Sequence, residues 1–133
     1  MALAFPAAVR NTMLDAITTY AGSAGLLKIF SGTRPATGGA ETTKLAQLSF
    51  SGNIAAAASA GVLTLNIPAS DTSADATGTA SWARITKADG TTVVIDMTVT
   101  ATGGGGDLTL DSTSITLGGT VAITSGTITA GNA

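Results

Sequence analysis

The chain of 133 residues contains no cysteine and no histidine. The first absence excludes disulfides, thiolate metal sites and cysteine nucleophiles. The second removes the commonest general base and the commonest transition-metal ligand. Charge is also scarce: 11% of the residues are charged, where an ordinary domain carries about 25%. Low charge could signal a membrane protein, but no run approaches the ~20 apolar residues that span a bilayer. "AAAASAGVLTL" comes nearest, and it is short, half alanine and ends in strand-like alternation. The first residues, "MALAFPAAVRNTML", lack a basic segment followed by a continuous apolar run. No signal peptide is expected there, and synthesis in the cytoplasm is.

All basic residues lie at or before Lys87; beyond it the only charged side chains are Asp89, Asp96, Asp107 and Asp111. That half cannot grip phosphates, so nucleic acid is not an expected partner. The length suits one domain, able to bury roughly two-thirds of its unfolded surface.

What is present is alanine, threonine, glycine and serine, arranged with period. From Val9 to Ala21, apolar side chains at Val9, Met13, Ile17 and Ala21 recur every fourth residue, with Leu14 and Tyr20 beside them. Pro6 upstream and "GSAG" at 22–25 suit a helix start and stop. The spacing predicts a helix over about 9–21 that buries this stripe, preceded by a flexible arm of residues 1–8. Residues 9–133 then form a single domain.

The rest reads as strands. "LLKIF" (26–30), "KLAQLSF" (44–50), "VLTLNI" (62–67), "ASWARITK" (80–87) and "TVVIDMTV" (92–99) are followed by "DLTLD" (107–111), "SITL" (114–117) and "TVAITSGTIT" (120–129). About eight short strands bounded by turn residues predict a mainly β fold, a two-sheet antiparallel sandwich or jelly roll. Around Asp89 and Gly90, a two-residue loop would mix polar and apolar faces. A three-residue loop, pairing Lys87 with Thr91, puts Ala83 and Ile85 with Val93, Ile95 and Met97, and Trp82 and Arg84 with Val94 and Asp96. It requires Gly90 at positive φ.

No candidate for chemistry survives inspection. In "SDTSADATG" (70–78), Asp71, Ser73 and Asp75 stand at the first, third and fifth positions of a calcium loop. The required glycine is Ala76 and the bidentate glutamate is Trp82. A polar bend closed by side-chain-to-backbone bonds is the better reading. A Ser-His-Asp triad is impossible without histidine. No motif singles out Lys28, Lys44 or Lys87 as partner to a serine. Asp96, Asp107 and Asp111 could supply a carboxylate pair, but on alternating strands such aspartates face water. "GGGG" at 103–106 lacks the lysine and helix of a phosphate loop. No enzyme, cofactor or metal is expected.

In order, "LLKIFSGTRPA", "KLAQLSFS", "SDTSADATGTASWARITKADGTTV" and "DLTLDSTSITLGGTVAITSGTIT" resemble a family of small virion structural proteins of tailed bacteriophages. The likeness runs from about Val9 to Thr129. It implies a β-sandwich and a capsid cement, or decoration, protein on the outer surface of the head. Its partners would be the major capsid protein and other copies of itself, as a dimer or trimer. Candidate contacts are Phe5, Val9 and Arg10 in the N-terminal segment, Arg34 and Pro35 in the "GTRPATGG" loop, and Trp82 and Arg84. A tail or baseplate component and a carbohydrate-binding jelly roll are the competing readings. A single tryptophan on a strand is more often packing at a sheet edge or under a loop than a contact of either kind.

Overall fold

The computed structural model describes residues 4–130. These residues form one helix and nine strands. The helix is α1 (Ala7–Ala21), and the first strands are β1 (Leu26–Ser31), β2 (Thr43–Ser49) and β3 (Val62–Thr64). They are followed by β4 (Gly78–Thr79), β5 (Trp82–Thr86), β6 (Val93–Ala101), β7 (Leu108–Leu110), β8 (Ser114–Ile115) and β9 (Ile123–Thr129). Seven strands make one sheet in the order β2-β1-β5-β6-β7-β9-β3, and β4 pairs with β8 in a small second sheet. The fold is mainly β, as expected.

The sheet is mixed, not antiparallel throughout. Strand β6 pairs antiparallel with β5 up to Thr98, then parallel with β7 through Val99, Thr100 and Ala101. A parallel neighbour ordinarily needs a long crossover. Here residues 102–107 double back instead. Gly103 and Gly105 take positive φ of 87° and 83°. A Cβ on Gly104 or Gly106 would lie 2.8–2.9 Å from Thr100 side-chain atoms. Only glycine combines these conformations with this closeness, so the four-glycine run makes the parallel step.

The β5–β6 hairpin segregates Ala83, Ile85, Ile95 and Met97 from Trp82, Arg84 and Asp96 as expected, but Val93 and Val94 are exchanged: Val93 stands opposite Thr86 on the Arg84 face, and Val94 packs against the core. Ala83 stands opposite Met97, Ile85 opposite Ile95, and Arg84 opposite Asp96. Gly90 has a φ of +76°. The loop, however, is one residue longer than predicted, because the Lys87 N–H donates to Thr92 O at 3.0 Å. Taken alone, that pairing would mix the faces. A bulge restores them: Thr86 faces Val93 and Ile85 faces Ile95, leaving Val94 as the extra residue. Asp89 closes the loop by accepting from the Thr92 hydroxyl and from the Thr92 and Thr91 N–H groups. These bonds hold its carboxyl down at about 2.

One face of the β2-β1-β5-β6 sheet buries Leu27, Ile29, Leu48, Ala83, Ile85 and Met97. They join Leu63, Leu65, Leu108 and Leu110 in a single apolar core, whose removal from water is the main driving force for the fold. Both ends of the large sheet are covered by the chain itself. Beside β2, Asp75 N–H donates to Leu45 O at 2.7 Å and Asp71 Oδ2 accepts from Gln47 N–H at 3.0 Å. Beside β3, Ser59 and Val62 exchange backbone bonds and Ala55 bridges Leu65. Neither end is left as a bare template for another strand.

The helix ends at Gly22 as expected, but it begins at Ala7, and Pro6 O accepts from Val9 N–H and Arg10 N–H. Residues 7 and 8, expected in the arm, therefore belong to the helix; residues 1–3 lie outside the described residues. The buried side also differs from the expected stripe. Leu14 and Ala21 are buried and Ile17 packs on the core, whereas Val9, Met13 and Tyr20 are 41%, 51% and 53% exposed. Polar side chains explain the rotation. Arg10 donates to Ala130 O, Asn11 Oδ1 accepts from Gly61 N–H, and Asp15 Oδ1 accepts from Ala58 N–H at 2.7 Å. These staples aim the polar residues inward and turn the Val9–Met13 edge out.

Candidate functional site

The reverse face of the β2-β1-β5-β6 sheet carries a cluster of charged and aromatic groups. Strand register aligns Lys28, Arg84 and Asp96 across β1, β5 and β6, and places Phe30 beside Trp82. Phe30 and Trp82 are stacked with ring centroids 4.2 Å apart and planes 16° apart, and the Arg84 guanidinium lies 5.2 Å from the Trp82 ring centre. Arg84 grips Asp96 in a two-point ion pair, with Nε and NH2 donating at 2.7 and 3.1 Å.

A strap formed by residues 32–42 closes over this face. Glu41 accepts from Lys28 Nζ at 3.0 Å and stands 3.9 Å from Arg84. The Thr42 hydroxyl accepts from the Trp82 indole N–H at 2.9 Å, and Gly38 N–H donates to Asp96 Oδ2 at 3.2 Å. Lys28 also donates to Gly90 O at 2.6 Å, tying the β5–β6 loop to the same cluster. The strap itself is small and polar, and among its residues only Pro35 and Gly39 are half-buried. Polar contacts, rather than apolar burial, hold it down.

Burial pushes the Asp96 carboxyl up. The Arg84 and Gly38 hydrogen bonds, with the positive charges of Arg84 and Arg34, outweigh that and hold it below the ordinary carboxylate value. Arg84 is raised, chiefly by its bond to Asp96. Both stay ionised near neutrality, and neither is poised to transfer a proton.

The candidates from the sequence thus fall into two groups. Arg34 is exposed and Pro35 half-buried on the strap, above Trp82 and Arg84, which are only 1% and 3% exposed. Trp82 and Arg84 therefore anchor the strap and present no outer surface. Phe5 and Val9 are exposed at and before the start of α1, and Arg10 is half-buried, donating to Phe5 O and Ala130 O. Lys28, Glu41 and Thr42 escaped sequence reasoning because the strap's landing place depends on tertiary contacts. Arg84 and Asp96 sharing a face was the one signal available.

The other candidates resolve into structural roles. Asp71 Oδ1 accepts from Ser73 N–H and Oδ2 from Gln47 N–H, while Asp75 pairs with Lys44 at 3.3 Å. "SDTSADATG" is a polar bend that covers β2. Asp107 accepts from Thr98 N–H and from its hydroxyl. Among the described residues, no three acidic, histidine or cysteine side chains gather as a metal site. A cavity of about 210 Å³ beside Asp111, Ser112 and Val121 falls below the ~300–1,000 Å³ of ligand pockets. No helix of the described residues is long and apolar enough to cross a membrane. No protein-family model matches the chain, and no curated protein or solved structure matches it.

Proposed function

We propose that the chain is a capsid decoration protein of a tailed bacteriophage, bound to the outer surface of the head across contacts between major capsid subunits. On this reading the sheet, which turns from β5 to β7 along β6, is a two-layer sandwich, and many copies act together. Avidity then makes modest individual contacts stabilising. The observation that carries the proposal is where the charges go. Lys28, Lys44 and Arg84 pair with Glu41, Asp75 and Asp96. Arg10, Asp15 and Asp71 bond to backbone groups, and Lys87 lies over the Tyr20 ring at 4.2 Å. Arg34, Glu41, Asp75, Asp89, Asp107 and Asp111 are exposed, but most of the exterior is threonine, serine, alanine and glycine, which suits a part that sits against neighbours with little steering field. The resemblance to phage virion proteins gives the neighbours their identity. Because β2 and β3 are covered, contacts between copies would use side-chain faces instead of strand pairing.

A carbohydrate-binding module is disfavoured, since Trp82, the natural stacking platform, lies under the strap. Purified protein mixed with empty heads of its phage should co-sediment and saturate at a fixed copy number per capsid subunit. Protein that stays in the supernatant, or pellets only with tails, would sink the decoration reading.

A further inference from the structure

Asp89-Gly90 is the one place in the chain where an aspartate or asparagine precedes glycine. With no side chain on the following residue to hinder approach, the backbone nitrogen can attack the aspartate carboxyl. The Gly90 nitrogen bonds to Asp89 Cγ, the carboxyl hydroxyl leaves with the amide proton as water, and a five-membered succinimide closes. Water then reopens the ring. Where it attacks the main-chain carbonyl of Asp89, the bond from that carbonyl to the Gly90 nitrogen breaks. The chain then runs on through the side-chain carbons as isoaspartate, one carbon longer. Ala88 and Asp89 are exposed at the loop surface, yet the groups that ring closure needs are all occupied. Gly90 N–H donates to Lys87 O at 3.0 Å. Asp89 Oδ1 accepts from Thr91 N–H and Thr92 N–H, both at 2.8 Å, and Oδ2 accepts from the Thr92 hydroxyl. These bonds also keep the carboxyl ionised down to about 2, whereas loss of water needs the neutral acid.

We infer that Asp89-Gly90 is a latent isoaspartate site, kept unreactive in the folded protein by the loop's own hydrogen bonds, with Thr92 as the guarding residue. Thr92 supplies both a backbone and a side-chain donor to the carboxyl, so its hydroxyl is the part of the lock that a substitution can remove. Reaction is confined to the moments when the loop opens, and its rate follows the population of that open state. The consequence reaches the strap. Gly90 O accepts from Lys28 Nζ at 2.6 Å, and the same ammonium donates to Glu41 at 3.0 Å. An extra backbone carbon at residue 89 would displace Gly90 O from Lys28, and the cluster beneath the strap would lose its tie to this loop. The inference does not depend on the proposed function.

The test incubates the full-length protein at neutral pH in water enriched in heavy oxygen, beside the same protein unfolded in urea. Ring opening leaves one solvent oxygen in the product, and peptide fragmentation by electron transfer separates isoaspartate from aspartate. The unfolded chain should accumulate isoaspartate at residue 89 at least tenfold faster than the folded one, a comparison that needs no variant. Thr92→Val keeps the shape and loses the hydroxyl. While folded it should isomerise at least threefold faster than wild type, and in urea at the same rate. Asp89→Ser retains an acceptor for the loop N–H groups and should take up no label there. Isomerised protein, refolded, should leave Trp82 more open to acrylamide quenching than wild type. Equal rates in the folded and unfolded chain, label arising first at another aspartate, or a folded Thr92→Val no faster than wild type overturns the inference. Unchanged quenching overturns its reach to the strap.

Discussion

Asp96→Ala is expected to destabilise the protein by about 3–5 kcal/mol, the usual cost of stranding one member of a buried ion pair. Arg84 would remain 3% exposed, with Glu41 at 3.9 Å as its nearest remaining acid and Gly38 N–H without its acceptor. The double variant Arg84→Met with Asp96→Leu should recover most of the loss, since an apolar pair no longer has to be desolvated as ions. Chemical denaturation of the three proteins checks both statements; a loss below about 1 kcal/mol for Asp96→Ala contradicts the first. The same pair sets a pH dependence. Because the folded carboxyl lies below its unfolded value, its stabilisation is complete above the unfolded value of about 4. It is lost as pH falls through the lower folded value. Below that point Lys28, Arg84 and Arg34 face one another without Asp96, and the strap should lift. Quenching of Trp82 fluorescence by acrylamide reports this, and it should rise with acid before the far-UV signal of the sheet is lost.

Trp82→Ala should cost about 3–5 kcal/mol, the range for removing a large buried aromatic. The loss combines the stack on Phe30, the contact with Arg84 and the bond to Thr42. Trp82→Phe keeps a ring on Phe30 and should lose much less. Thr42→Val isolates the hydrogen bond and should cost about 1 kcal/mol. Thermal and urea unfolding rank the three variants. Equal stability of Trp82→Ala and wild type would mean that the stack and strap are not coupled to folding.

How much of this was legible in the sequence differs from element to element. Strict alternation in β5 and β6 was enough to put Arg84 with Asp96 and Ala83 with Met97, because a period of two leaves only two choices of face. It could not tell a three-residue loop from a longer loop with a bulge at Val94, since both keep the faces apart. Gly90 at positive φ was common to both. The helix was located by its period but rotated wrongly. Apolar spacing assumes that apolar side chains go inward, and in α1 three polar staples decide instead. Such conflicts between pattern and fold are where function is expected to lie. The glycine run was read as a loop tip, because composition marks where a chain turns and not which neighbour it then joins. The strap could not be seen at all: Lys28 and Glu41, or Thr42 and Trp82, meet only after β1, β2 and β5 are side by side.

The central claim is that this protein coats a phage head and does no chemistry there. Its most direct test is a cryo-electron microscopy map of the intact virion. The expected result is repeated density for this fold on the outer capsid surface, spanning junctions between capsid subunits. Density confined to the tail or baseplate, or a particle that lacks the chain, would contradict it.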